Sequence, residues 1–87
     1  MTYSVKFSAS ARRAIEVTLP ESTAAALREF IMRPLAENPI RLSKPLLGKL
    51  ASSRSARRGG YRVVFSLSDN SNEIHIERIA ARKNIYR

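Results

Sequence analysis

The 87-residue sequence contains no cysteine and only one histidine, His75. It therefore has no disulfide framework and no cysteine-ligated metal site. It also has no apolar run near the ~20 residues that a membrane-spanning helix needs, and its first residues do not resemble a signal peptide. Hydrophobic residues make up 44% of the chain, which is enough for a core and argues against wholesale disorder. We therefore expect one small cytoplasmic domain over residues 1–87.

Acidic side chains are absent from residues 38–68, although the whole sequence contains seven of them. The same window holds seven basic residues: Arg41, Lys44, Lys49, Arg54, Arg57, Arg58 and Arg62. Arginine supplies 12 of the 16 basic residues, and its planar, permanently charged guanidinium matches phosphate oxygens. The net charge of +9 is therefore concentrated in the second half of the chain. This distribution favours a surface that binds a polyanion over a merely solvated basic surface.

The first half of the sequence predicts one strand and two helices. Apolar and polar residues alternate over residues 3–7, as in a half-buried strand. A helix follows to about Leu19, with Ser8 or Ser10 as its N-cap, and a proline ends it. The second helix begins at Glu21. Its apolar residues recur at helical spacing: Leu27, Phe30, Ile31, Pro34 and Leu35.

The middle of the sequence predicts a connector and a hairpin. Residues 40–50 form the connector, and four leucines are available to anchor it on the core: Leu42, Leu46, Leu47 and Leu50. A weak polar strand is expected over residues 52–58. The pair Gly59–Gly60 is typical of a two-residue hairpin turn, because both glycines accept positive φ. The clearest strand follows the turn, over residues 61–67.

The last strand is expected over residues 73–81, with an irregularity inside it. Its isoleucines change parity between Ile76 and Ile79, which predicts a β-bulge or a twist. The element order is then β-α-α-β-β-β. We predict an α+β fold in which the two N-terminal helices pack on one face of a four-stranded, mainly antiparallel sheet. Arg62 and Ser66 would then point to the other face, which stays open to solvent.

Three segments carry a pattern that extends over nearly the whole chain. They are residues 34–46, the run 54–65 with its Gly-Tyr-Arg-Val turn, and Ile79-Ala80-Ala81-Arg82 followed by Tyr86. In this order and spacing they resemble the RelE/ParE superfamily of bacterial toxins, and within it the RelE-type mRNA interferases. The resemblance implies a toxin that a co-expressed antitoxin holds inactive. RelE members cleave mRNA in the decoding site of the ribosome, without a metal or other cofactor, whereas ParE members inhibit DNA gyrase.

The resemblance also implies a reaction and the residues that perform it. The 2′-hydroxyl of the RNA attacks the adjacent phosphate and leaves a 2′,3′-cyclic phosphate and a 5′-hydroxyl. Arg62 would stabilise the phosphate, Arg82 would stabilise the transition state electrostatically, and Tyr86 would orient the nucleophile or stack on a base. The further residues expected to bind RNA are basic: Arg54, Arg57, Arg58, Lys49 and Lys83.

One departure from the RelE pattern concerns the proton acceptor. RelE members commonly place two lysines on the strand before the Gly-Tyr-Arg turn, where this chain has Ser53 and Ser55. Serine does not replace a lysine base, so cleavage would be slower or would use a substrate-assisted proton transfer. His75 can exchange a proton near neutral pH, but it lies mid-strand, away from Arg82, where a structural role is more common. Glu77 has the same parity as His75 and could pair with it.

The missing lysines keep two other functions open. One is a ParE-type, non-enzymatic inhibitor of DNA gyrase, and the other is a basic adaptor without toxic activity. For a RelE-type or a ParE-type toxin, the expected partner is an acidic, partly disordered antitoxin that folds onto the basic surface and the helices. The ribosome and mRNA are the expected targets of a RelE-type toxin, and operator DNA would be contacted only through the antitoxin. No membrane partner is expected.

Overall fold

The structure is a computed structural model, and it describes residues 2–46, 52–68 and 72–81. The elements follow in this order: β1 (Ser4–Phe7), α1 (Ala9–Arg13), α2 (Glu21–Phe30), β2 (Lys44–Pro45), β3 (Arg54–Arg58), β4 (Tyr61–Ser68) and β5 (Glu73–Ala81). Each helix continues into a π-helical segment, Ala14–Thr18 after α1 and Ile31–Leu35 after α2. Within the described ranges, no helix is long and apolar enough to cross a membrane.

The strands form one sheet in the order β1-β5-β4-β3-β2. β1 runs parallel to β5, and the other neighbouring strands are antiparallel. The predicted α+β class, with two helices on one face of the sheet, is confirmed. The predicted number of strands is wrong, because the described residues form a sheet of five strands rather than four. The sheet is mixed, and three of its four strand pairs are antiparallel. The extra strand is β2 in the connector, where Lys44 pairs with Ser55 and Pro45 pairs with Arg54.

The hydrophobic core lies between the helices and one face of the sheet. Its largest fully buried side chains are Phe65, Leu27, Ile31, Leu35, Ile74, Ile76 and Val63. The apolar stripe predicted for the second helix supplies three of them. Pro34, which was also expected in that stripe, is exposed. It lies in the π-helical segment, where the wider turn changes the spacing of the inward-facing positions.

Ser8 is the N-cap of α1, and it also joins this helix to the sheet. Its Oγ accepts a hydrogen bond from the Ala11 backbone N–H at 3.0 Å. The same hydroxyl donates to the Glu77 carbonyl oxygen at 2.8 Å. Of the two N-caps that the sequence left open, Ser8 and Ser10, the structure therefore uses Ser8, and Ser10 lies inside α1.

The turn between β3 and β4 has two residues, as predicted, and only one of its glycines needs the left-handed region. Arg58 pairs with Tyr61 across the turn. Gly59 has a φ of +61°, whereas Gly60 is not in the positive-φ region. A positive φ at the first central position alone is typical of a type II′ turn, which suits the twist of a hairpin. This short turn sets the register of the whole β3–β4 pair.

The predicted irregularity in the last strand is a β-bulge at Glu77. Val64 of β4 pairs with Arg78, and the next residue, Phe65, pairs with Ile76. Glu77 is therefore an extra residue in β5. The bulge explains why Ile76 and Ile79 both face the helices despite their spacing. It also places Glu77 and Arg78 on the opposite face.

Candidate nucleic-acid interface

The face of the sheet away from the helices, here called the open face, brings two of the predicted site residues together. Arg57 of β3 lies directly opposite Arg62 of β4. Val63 and Phe65 are buried against the helices, so Arg62 points to the open face, as the alternation predicted. Arg57 shares that face because directly opposite residues in an antiparallel pair project to the same side. The two arginines therefore share the open face, and their role as site residues stays a prediction.

Arg57 and Arg62 line an open groove of about 680 Å³ between the sheet and the connector. We call it the basic groove. Arg41 and Lys44 of the connector line it as well, and Ser55 contributes from β3. None of the described residues that line the groove is acidic. Four cationic side chains around one concave surface create a strongly positive potential, which attracts phosphate groups.

Arg54 does not face the basic groove, although it was predicted to bind RNA. It lies opposite Phe65, on the side of the sheet that faces the helices. Its guanidinium turns toward the connector, where Nε donates to Ser43 Oγ at 2.7 Å. Nη2 donates to the Ser43 and Ile40 carbonyl oxygens at 3.2 and 3.3 Å. These bonds tie Arg54 to the protein itself.

Arg58 also lies on the helix side of the sheet. It is opposite Tyr61, and its side chain lines a shallow groove beside α2 that also includes Ser22 and Thr23. Alternation along β3 thus separates three arginines that are close in sequence, and only Arg57 reaches the basic groove. The other predicted site residues lie outside the described residues: Lys49, Arg82, Lys83 and Tyr86. Their assignment stays a prediction.

The centre of the open face is less open than expected. Ser53, Ser55 and Val64 are all buried there. Ser53 Oγ donates to Glu77 Oε1 at 2.9 Å, so the Glu77 side chain spans β4 and covers part of this region. Ser55 Oγ is buried and has no hydrogen-bond partner within the described part of the chain. The two serines that stand in place of lysines are therefore small, enclosed side chains.

His75 pairs with a different carboxylate from the one predicted. Its Nε2 lies 3.2 Å from Glu73 Oε1, whereas the Glu77 carboxylate is bonded to Ser53. The predicted His75–Glu77 pair is wrong, although both residues lie on the open face, because each side chain has a different partner. His75 lies opposite Ser66, which is four residues from Arg62 along β4. At ~3.3 Å per residue, the backbone positions of Ser66 and Arg62 are about 13 Å apart, so His75 is at least that far from Arg62 along the strands.

Arg41 and Lys44 are groove residues that were not singled out as site residues in the sequence. Both belong to the acid-free window of residues 38–68, and that window was the signal that could have found them. In the described part of the connector, β2 is the one regular element, and it has two residues. Its position against β3 therefore could not be read from periodicity.

Individual proteins of known sequence and structure identify the family of this chain, although no family model matches it. The Mycobacterium tuberculosis toxin RelE is 46% identical over 85 residues, covering 98% of this chain and 87% of that toxin. Toxin RelG of the same organism is 40% identical over 87 residues, covering 100% of this chain and 99% of that toxin. The crystal structure of the toxin–antitoxin complex RelBE2 from M. tuberculosis contains a chain with 38% identity and a TM-score of 0.88. That similarity covers 94% of this chain and 100% of the other. The chain belongs to the RelE family of toxins.

Proposed function

We propose that this toxin is a ribosome-dependent endoribonuclease that cleaves mRNA in the decoding site by attack of the RNA 2′-hydroxyl, without a metal ion. It would act in the bacterial cytoplasm as a single domain. The observation that carries the proposal is the opposition of Arg57 and Arg62 on the open face of the sheet, in a groove whose described lining residues include no acid. The family membership supports the same activity.

The chemistry requires positive charge around the phosphate that is attacked. Negative charge on its oxygens grows in the transition state, and fixed cations near those oxygens stabilise it. Arg62 is assigned this role together with Arg82, and Arg57 binds the neighbouring backbone. Tyr86 is assigned to orient the nucleophile or to stack on a base. Removing one such electrostatic group costs about 10²–10³ in rate in other enzymes.

The proton acceptor is assigned to the substrate and the ribosome rather than to a side chain of the open face. Ser53 and Ser55 are poor bases, and Ser53 is already bonded to Glu77. His75 lies about 13 Å from Arg62 along β4. A general base must lie within hydrogen-bond reach of the proton that it removes, or one water away. This backbone spacing does not favour His75 as the base for a phosphate bound at Arg62.

The proposed partner that controls the toxin is a cognate acidic antitoxin. The related chain of known structure comes from a toxin–antitoxin complex. An acidic, partly disordered chain would be attracted by the net charge of +9 and would compete with RNA for the basic groove. Operator DNA would be reached only through that antitoxin.

The test is to map mRNA 5′ ends in a translating extract with and without the toxin. We expect codon-phased cuts that need ribosomes. The double substitution Arg62→Ala with Arg82→Ala should abolish the cuts and relieve growth arrest while circular dichroism stays unchanged. The matched control is Arg13→Ala, which removes one exposed arginine from α1. Inhibition of supercoiling without cuts would replace the proposal with gyrase inhibition, and a folded double mutant that still cuts would refute the assigned arginines.

A further inference from the structure

The described part of the connector, residues 40–46, holds two of the four cations among the described lining residues, although few of its apolar side chains are buried. Ile40 is 59% exposed and Leu42 is 38% exposed, so neither anchors it in the core. Leu42 was predicted to do so. Of the other predicted anchors, Leu46 is half-buried, and Leu47 and Leu50 lie outside the described residues. The paired strand β2 has only two residues. Hydrophobic burial therefore does not explain how residues 40–44 keep their place.

Arg54 supplies a side-chain attachment, in addition to the β2–β3 pairing and the hydrogen bond that the Leu46 backbone N–H donates to the Ser53 carbonyl oxygen at 3.0 Å. Its three hydrogen bonds reach Ile40 and Ser43, which lie on either side of Arg41 in the chain. Ser43 completes the arrangement, because its Oγ donates to the Pro39 carbonyl oxygen at 2.6 Å and accepts from Arg54. The Ser43 hydroxyl thus donates its proton to the Pro39 carbonyl oxygen, and its oxygen accepts the hydrogen bond from Arg54 Nε. Pro39 is buried, so the bonds end in a fixed part of the fold.

The connector segment held by these bonds forms one wall of the basic groove, and it places positive charge opposite Arg57 and Arg62. Lys44 lies directly opposite Ser55, and therefore on the same face as Arg57. Arg41 lines the same groove from the connector. Two walls of equal sign repel each other across the groove, and a chain of phosphates between them removes that repulsion. A single RNA strand, with one charge per nucleotide and a flexible backbone, has the required chemistry.

We propose that the connector is the second wall of the RNA-binding groove and that Arg54 is the positioning residue that holds Arg41 and Lys44 in it. This inference rests on the proposed function, because it takes single-stranded RNA as the occupant. Arg54 contributes through the geometry of its guanidinium and not through a contact with phosphate. Its planar set of donors is required, since a lysine has the same charge but cannot donate in that fork.

The first test separates geometry from charge. The probe is a fluorescent single-stranded oligoribonucleotide, bound to the purified full-length chain over a range of salt concentrations. Arg41→Ala and Lys44→Ala should each reduce the slope of log K against log salt by about 0.7, as expected for one phosphate contact. Arg54→Lys keeps the charge, yet it should weaken binding about fivefold, the combined effect of two loosened exposed ion contacts.

A second variant removes the same attachment without touching any charge. Ser43→Ala deletes the acceptor of Arg54 Nε and the bond to Pro39, and we expect it to weaken RNA binding to the same extent as Arg54→Lys. Its matched control is Ser10→Ala, an exposed serine in α1. Arg41→Ala and Lys44→Ala should reduce RNA affinity less in the Arg54→Lys background than in the wild-type background, because coupled residues give non-additive effects. Hydrogen exchange of the Leu42 and Ser43 amides should become faster in both Arg54→Lys and Ser43→Ala.

The outcomes distinguish this inference from the proposed function. Normal RNA binding by Arg54→Lys and Ser43→Ala, with ribosome-dependent cleavage intact in the wild type, would overturn the inference alone. Fully additive effects of Arg54 and the two wall residues would assign Arg54 a direct phosphate contact instead. A wild-type chain that neither binds the oligoribonucleotide nor cuts mRNA would overturn both proposals.

Discussion

Arg57 of β3 and Arg62 of β4 lie directly opposite each other on the open face of the sheet. Like charges at directly opposed positions of an antiparallel pair lower stability. The pair therefore opposes folding slightly and favours anion binding, because a phosphate between the two guanidinium groups is attracted by both. It is the feature of the structure that most directly supports the proposed binding of RNA.

Removing one member of this pair should stabilise the unliganded protein. Arg57→Thr ends the cross-strand repulsion and keeps a residue suited to strands, so the free energy of unfolding should rise by about 0.2–1 kcal/mol at low salt. The difference should shrink near 1 M salt, where the Debye length is only about 3 Å. Urea unfolding at the two salt concentrations measures it. Arg57→Lys, which keeps the charge, is the control, and a less stable Arg57→Thr at low salt would contradict the explanation.

The two turn glycines should respond differently to the same substitution. Gly59→Ala places a Cβ in the left-handed region at φ +61° and should lower the free energy of unfolding by about 1–2 kcal/mol. Gly60→Ala should have a much smaller effect, because its φ is not positive. An added Cβ has no atom within 4 Å at either position, so contacts do not complicate the comparison. Thermal unfolding of both variants tests it, and equal losses would contradict the type II′ assignment.

Replacement of the single histidine should leave RNA cleavage unchanged. His75→Gln keeps a polar side chain on the open face but cannot act as a base near neutral pH. If His75 were the general base, the rate of ribosome-dependent cleavage would fall by about 10²–10⁴. The measurement is the rate of mRNA cutting in a translating extract, compared with that of Arg62→Ala. A fall in cleavage rate of that size would instead identify His75 as the general base, despite its distance from Arg62.

Periodicity was sufficient to predict most of the fold. The parity change between Ile76 and Ile79 predicted the bulge, because only an extra residue lets both side chains enter the same core. Strand β2 could not be predicted in this way. Two residues, Lys44 and Pro45, have no measurable period, and they form a strand only through pairing with β3.

The site was harder to predict because residues close in sequence separate in space. Arg54, Arg57 and Arg58 were grouped as RNA ligands, yet the sheet sends only Arg57 to the groove. The two-residue turn predicts this separation. With Gly59 and Gly60 as the turn, residue 58 pairs with 61 and residue 57 pairs with 62, so Arg57 shares the face of Arg62 and Arg58 does not. The role of Arg54 had no such signal, since its bonds to Ile40 and Ser43 join segments that sequence alone does not bring together.

The bulge in β5 makes this strand one residue longer than its pairing with β4 requires. The strand could therefore lose Glu77 and keep Ile76 and Ile79 on the same side, so this is the single place in β5 where a natural deletion would preserve the order of inward and outward side chains. The Glu77 carboxylate, which lies above β4, is therefore not required for the packing of the core. A natural deletion or substitution of Glu77 would leave the inward-facing side chains of β5 unchanged.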